Sequence, residues 1–283
     1  MQKWRIFFFL FVLFYEVGAV AQSLCWKISR PGAQHTSYVF GTMHSTDARV
    51  FKLSKGVELA MDSCAVFVNE MDMENLDVMA IMKDMINPKN SLQKALSKDD
   101  YAKLDSLANE KLHLPLALLD HIQPILISSL LETSSGEEKD SGGVFLDLYL
   151  AQKCREHNKQ VKGLETAAEQ LKALNALSYN DQIELLVKTL HETATSETSF
   201  ERMVTFYVQG ELDSLLMMSE EAAMPPKLME ELVLKRNKRM ADRMEKMFVE
   251  SSHFFTVGAL HLPGEKGVLS LLRKKGFTVT PVL

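Results

Sequence analysis

The chain has 283 residues, of which 46% are hydrophobic and 24% are charged, a composition typical of a globular protein. Its formal net charge of -5 provides no basic field, so the sequence predicts no nucleic-acid binding. The length is sufficient for a large core, in one domain or in one domain with a helical insertion.

The first 21 residues predict a cleaved signal peptide. Lys3 and Arg5 precede an apolar run, and residues 19–21 (AVA) form a small-x-small cleavage pattern. The run is short for a membrane span and Glu16 interrupts it, with an uncleaved anchor as the alternative. We therefore expect an exported protein, periplasmic or secreted, that begins near Gln22 and keeps no stable membrane span.

Three cysteines follow the signal peptide, and no two of them form a Cys-x-x-Cys motif. The sequence therefore supports neither a thiol redox motif nor a cysteine zinc knuckle. An oxidising compartment would allow Cys25 to pair with Cys64, since both open predicted strands. Cys154 is interpreted as a lone buried thiol.

Short strands are predicted at both ends of the chain. LCWKIS and SYVF form a hairpin around a Pro-Gly turn, and CAVFVNEMD and KQVKGLE are strands that end in glutamate. The last segment is a strand–helix–strand unit, FFTVGALH, KGVLSLLRKKG and FTVTPV, in which Gly276 ends the helix.

The middle of the chain predicts mainly helices, because apolar residues recur there at three- and four-residue spacing. Ser97 is the expected N-cap of one helix, with an acidic first turn. Residues 134–143 are polar and glycine-rich and predict a mobile loop. We predict an α/β (α+β-like) fold, a single domain over residues 22–283 whose sheet uses strands from both chain ends and whose helical insertion covers about residues 76–250.

Polar side chains follow four of the predicted strands at the point where each strand ends. The motif GTMH places His44 after one strand, and GALH places His261 after another. Glu70 and Glu165 end two more strands. Ligands of open parallel sheets bind beyond the carboxyl ends of the strands. If these strands are parallel, two histidines and two glutamates converge on one edge.

Two imidazoles with two carboxylates suit a borderline divalent metal ion such as zinc, cobalt or manganese. A carboxylate that is not a ligand could orient a ligand histidine or act as general base on water. Glycine suits both turns because it allows a positive φ and a close backbone approach. The structural alternatives are a surface strand end for Glu70 and a helix cap for Glu165. The remaining histidines that are predicted to be solvated are His35, His113, His157 and His253.

The segment KRNKRMADRM carries Arg236, Arg239 and Arg243 at a spacing that places them on one helical face. For Arg239 and Arg243 the expected explanation is a solvated helix face. Asp147 lies one turn into a predicted helix, where it is either a site carboxylate or an acid that the helix dipole stabilises.

Together these segments resemble the TraB/GumN family, most closely its GumN-like bacterial branch. The matching pieces are LCWKIS with YVFGTMHSTD, VFVNEMD, FLDLYLAQKCREHNKQVKGLETAAEQL, KRNKRMADRM and FFTVGALHLPGEKGVLSLLRKKGFTVTPV. The family includes the TIKI proteins, which are metal-dependent proteases with paired Gly-x-x-His motifs. It is related more distantly to the erythromycin-esterase (EreA) and ChaN-like proteins, among which haem binding also occurs.

The resemblance implies a metal-dependent hydrolase that acts on peptides. The residues at characteristic family positions are His44, Glu70, Asp147, Glu165, Arg236 and His261. His44 and His261 would bind the metal, and Glu70 would be a third ligand or the base. Glu165 would be a second catalytic carboxylate, and Arg236 would stabilise developing negative charge. The alternative is a non-catalytic protein that sequesters a peptide, a small molecule, or a metal- or haem-containing ligand.

Overall fold

A computed structural model describes residues 23–71, 77–133, 144–191, 196–221 and 224–283. The predicted signal peptide and the glycine-rich loop at residues 134–143 lie outside the described residues. Within the described ranges, no helix combines the length and apolar character needed to cross a membrane.

Within the described residues, six strands form one mixed sheet. The strands are β1 Cys25–Ser29, β2 Ser37–Thr42, β3 Val66–Met71, β4 Gln160–Glu165, β5 His253–Gly258 and β6 Thr278–Pro281. Their order across the sheet is β4-β3-β5-β2-β1-β6. The first four in that order are parallel, while β1 is antiparallel to both of its neighbours. The predicted α/β fold, with a sheet built from both ends of the chain, is confirmed.

Strand β5 lies in the middle of the sheet. Its near-continuous apolar sequence suits this position, because such a strand is covered on both faces. The ring of Phe254 lies 6.0 Å from the rings of both Phe40 and Phe67, on the strands either side. His253 begins this strand and is buried, with its backbone N–H donating to Ser37 Oγ. The prediction that His253 is solvated is therefore wrong.

Thirteen α-helices lie within the described part of the chain: α1 Lys55–Ser63, α2 Val78–Met85, α3 Leu92–Ala95, α4 Lys98–Leu107, α5 Pro124–Thr133, α6 Leu146–Glu156, α7 Ala167–Leu174, α8 Tyr179–His191, α9 Ser196–Val208, α10 Leu212–Glu221, α11 Pro226–Met229, α12 Lys235–Phe248 and α13 Val268–Lys274. Ser97 caps α4 as predicted, since its hydroxyl accepts from the N–H of Asp100 at 3.1 Å. Gly276 follows α13 with φ +85°, which fits its predicted position at the helix end.

Two main hydrophobic cores hold these elements. The larger core packs the sheet against helices from both halves of the chain, including Leu150 of α6 and Met244 of α12. A second core joins α3, α4, α5 and α8 through buried leucine and isoleucine side chains such as Leu104 and Ile127. The inserted segment therefore has its own core, and it also contributes β4 to the sheet.

All three cysteines are buried and carry free thiols. Cys154 is a buried lone thiol, as predicted. The pairing of Cys25 with Cys64 is not formed.

Candidate functional site

The carboxyl ends of the parallel strands β2, β3 and β5 form the floor of a cavity of about 560 Å³, which we call the strand-edge pocket. His44, Glu70, Arg236 and His261 all line it. The parallel direction on which the predicted convergence depended is confirmed. Glu165 ends the neighbouring strand β4 but is not part of the pocket lining.

The two Gly-x-x-His turns touch each other. A Cβ atom at Gly41 would lie 3.0 Å from Cα of Ala259, in the second turn, and 2.8 Å from Cδ1 of Leu262, the residue directly after that turn. Neither Gly41 nor Gly258 has a positive φ, so that part of the prediction is wrong. Glycine is needed at position 41 because the backbone at the end of β2 lies very close to the turn that follows β5, and a side chain at this position would collide with that turn.

This contact predicts unequal effects of alanine at the two glycines. Gly41→Ala should lower the free energy of unfolding by about 1–3 kcal/mol, because the added methyl group overpacks against Leu262 and Ala259. Gly258→Ala is the matched control, since its Cβ would meet only atoms at 3.5 Å, an ordinary contact distance. Urea denaturation of both variants measures the difference. Equal losses would contradict the close-approach explanation.

His261 is buried in the short 3₁₀ turn Ala259–His261. Asn237, in the first turn of α12, fixes the tautomer of its imidazole ring. Asn237 Nδ2 donates to the carbonyl of Lys266 at 2.9 Å, so its Oδ1 faces His261 Nδ1 at 2.6 Å and accepts the proton there. Burial lowers the pKa of His261, which favours the neutral ring. Its Nε2 therefore keeps a lone pair.

His44 is held less tightly on the loop after β2. Its Nδ1 lies 3.3 Å from Oδ1 of Asp147, in the first turn of α6, while 51% of its side chain is exposed. The hydrogen bond to Asp147 raises the pKa of His44. Asp147 thus contacts a pocket histidine and also lies in the first turn of α6, so both interpretations offered for it agree with the structure.

Glu70 is engaged on both carboxylate oxygens. Oε2 accepts the N–H of Gly258 at 2.8 Å, and Oε1 accepts from Arg236 Nη2 and from Gln170 Nε2. Burial alone would raise the pKa of Glu70, but charge interactions with His261, Arg236 and His44, together with the Gly258 N–H, outweigh it and lower the pKa to about 2. Glu70 is consequently a carboxylate with a permanent cationic partner, and not a surface strand end.

Behind Arg236 lies a buried charge cluster. Glu165 is 1% exposed, and its Oε2 accepts from Arg236 Nε at 2.8 Å. Its other oxygen accepts from Arg239 Nε, also at 2.8 Å. The cluster places two carboxylates, from Glu70 and Glu165, against two guanidinium groups. Glu165 therefore contacts the pocket through Arg236.

The interpretation of Arg239 and Arg243 as a solvated helix face is wrong. Arg239 binds Glu165, and Arg243 forms a bidentate pair with Glu169 in the first turn of α7. Spacing within α12 correctly placed the arginines on one face, but it could not show that this face lies against the end of β4 and the start of α7.

Helical segments contribute an apolar wall to the pocket, and the sequence did not indicate that this wall lines a pocket. Met203 of α9, Leu215 and Met218 of α10, and Leu232 and Val233 all line the pocket. The last two belong to a π-helical turn, Glu230–Leu234, of the kind often found at functional sites. The spacing of Leu215 and Met218 does indicate an apolar helix face, but such a face is indistinguishable from one that packs in a core.

The donor chemistry of the pocket fits a divalent metal ion in part. Each histidine has Nδ1 bonded to an oxygen of a neighbouring side chain, which is the pattern of metal-ligating imidazoles that bind through Nε2. Glu70 is instead paired with Arg236. Throughout the described ranges, no group of three or more His, Cys, Asp or Glu side chains is arranged to hold a metal.

The protein thus has an α/β fold. Two neighbouring parallel strands of its sheet, β2 and β5, each lead into a Gly-x-x-His turn. The sequence profile of the TraB/PrgY/gumN family matches residues 24–281, and the chain belongs to that family. The predicted family resemblance is confirmed.

Among curated proteins the chain is similar to the metalloproteases TIKI1 and TIKI2. It is 26% identical to "Metalloprotease TIKI1" of Homo sapiens, over 91% of this chain and 61% of that protein. It is 25% identical to "Metalloprotease TIKI2" of Danio rerio, over 91% of this chain and 60% of that protein. The chain therefore spans about three fifths of the length of these relatives. No solved structure matches significantly.

Proposed function

We propose that this protein is an exported metal-dependent hydrolase that cleaves peptides. The proposal depends chiefly on one observation: two imidazoles line a single pocket, and each has Nδ1 engaged so that Nε2 remains for a ligand. The similarity to proteins named metalloproteases supports the same class of reaction.

His44 and His261 would hold the metal ion, with Glu70 as a third ligand or as the base. Zinc, cobalt or manganese suits such donors, and the bound ion would supply Lewis acidity to polarise the scissile carbonyl and to activate water. Asp147 and Asn237 would orient the two rings through Nδ1.

Arg236 would stabilise the negative charge that develops on the scissile carbonyl oxygen, because its guanidinium lines the pocket. We assign Glu165 a positioning role, since it bonds to Arg236 and lies behind it. Glu70 can accept a proton only if its contact with Arg236 loosens, because a carboxylate that is stabilised by a cation is a weak base.

One observation favours the alternative, a non-catalytic protein that sequesters a peptide or a metal- or haem-containing ligand. Both oxygens of Glu70 already have protein donors. Because the Glu70 carboxylate is already hydrogen-bonded on both oxygens, the pocket can bind a ligand without activating a water molecule.

Digestion of a broad peptide library separates these two functions. We expect the zinc-, cobalt- or manganese-loaded protein to cleave a subset of the library, and a chelator to abolish the cleavage. Re-addition of metal should restore it, which controls for damage by the chelator. Retention of intact peptides without cleavage by the metal-loaded protein would favour the sequestering protein.

Export is a separate proposal that is based on residues 1–21. We expect N-terminal sequencing of protein from its native host to begin near Gln22, because a charged, apolar and small-residue pattern is removed by signal peptidase. Detection of Met1 at the N-terminus of the native protein would contradict cleavage at this site.

A further inference from the structure

The two sides of the strand-edge pocket differ in chemistry. Apart from the Tyr207 phenol, the charged or titratable side chains among the described lining residues are those of His44, Glu70, Arg236 and His261, which come from the strand ends and from the start of α12. The helices α9 and α10 and the π-helical turn before α12 contribute an apolar part of the lining, formed by Met203, Leu215, Met218, Leu232 and Val233. A ligand that fills the cavity therefore contacts both charged groups and a large apolar surface.

The few hydroxyl groups around the wall are already used inside the protein. Tyr207 donates its phenol proton to the carbonyl of Gly41 at 2.9 Å. Ser219 donates to the carbonyl of Leu216 in its own helix at 2.9 Å. A charged or amide side chain placed against this wall would lose water and gain no donor in exchange, which is costly.

The apolar wall is tied directly to the charged floor. Leu232 lines the wall, and its backbone carbonyl accepts from Nη1 of Arg236 at 3.2 Å. A side chain that packs on Leu232 would thus lie near the helical turn that carries the Arg236 guanidinium. The cavity of about 560 Å³ is of a size that holds a small ligand or a short stretch of peptide.

We infer that the strand-edge pocket selects peptides with a large apolar side chain directly beside the scissile bond. This inference rests on the proposed peptidase function and deepens it by naming the substrate class. The methionines contribute adaptable surfaces, since their flexible thioether chains fit side chains of different shape. The pocket should therefore accept leucine, methionine and phenylalanine alike.

Peptides that differ at a single position test the selectivity. We expect kcat/KM to be about 10- to 200-fold higher for leucine, methionine or phenylalanine beside the cleaved bond than for aspartate, lysine or asparagine. Met218→Asp should lower kcat/KM for the leucine peptide by about 10-fold or more, and Met218→Ala should reduce the preference with less risk to folding.

Met217→Asp is the matched control, because Met217 is the adjacent residue of the same helix, is 62% exposed and does not line the pocket. It should leave the leucine preference unchanged. Circular dichroism checks that each variant is folded. Equal losses from both aspartate variants, or equal kcat/KM for all peptides, would overturn the inference while leaving the peptidase function intact.

Binding measurements separate a failure of the selectivity from a failure of the peptidase function. N-acetyl-leucine amide and N-acetyl-aspartate amide are titrated into wild type, Met218→Ala and Met217→Asp by NMR. Tighter leucine binding that Met218→Ala alone weakens would support the apolar wall even if no peptide were cleaved. Equal binding of the two amides to wild type would overturn it, whether or not cleavage occurs.

Discussion

His44→Ala and His261→Ala should each lose the divalent metal ion, from about one per chain in wild type to nearly none, and with it peptide cleavage. The physical reason is that each substitution removes one imidazole Nε2 donor from the pocket, and a site left with fewer protein ligands binds metal far more weakly. Elemental analysis of purified, folded protein measures the occupancy.

His157→Ala is the matched control for these variants. His157 is exposed at the end of α6, and its Nδ1 bonds to the carbonyl of Lys153 one turn earlier. It should bind as much metal as wild type and cleave peptides at the same rate. Equal metal occupancy in all the folded variants would exclude the histidine pair as the site.

Glu70→Gln should lower peptide turnover by about 10²-fold or more. The carboxamide keeps the size of the side chain but loses the negative charge and one of the two acceptor oxygens. Since Glu70 accepts from Gly258 N–H on one oxygen and from Arg236 on the other, one of these donors must lose its partner. A stability cost of about 1–3 kcal/mol is expected for that reason.

Turnover, peptide affinity and metal content are measured on one preparation of Glu70→Gln. If Glu70 is the base, metal content and affinity should change little, whereas a ligand role predicts that metal is lost with activity. Glu169→Gln is the control, because Glu169 also pairs with an arginine of α12 but lies outside the pocket. Undiminished turnover in Glu70→Gln would exclude Glu70 from the mechanism.

The strand ends could be predicted because each one combines a local apolar run with a polar residue. His44, Glu70 and His261 follow such runs, and the parallel direction of the strands then places them at one edge. Periodicity also indicated that the middle of the chain is mainly helical, as the structure shows. These features depend on neighbouring residues, which a single sequence displays directly.

The other half of the pocket depends on tertiary packing, which local spacing does not specify. The contact of Asn237 with His261, and the apolar wall from α9 and α10, require knowledge of which helix covers the sheet edge. The environment of Glu165 could not be predicted for the same reason. Its position at a strand end was predicted correctly, but its burial behind Arg236 depends on how α12 packs against β4.

The pairing of β2 with β5 also constrains the biosynthesis of this protein. The N–H of His253 bonds to the hydroxyl of Ser37, 216 residues earlier in the chain. During translation the β1–β2 hairpin leaves the ribosome long before its parallel partner, so one edge of β2 stays open to wrong pairings in the meantime. A nascent chain that stops before β5 carries His44 without His261. The proposed histidine pair can therefore be completed only after most of the polypeptide has been made.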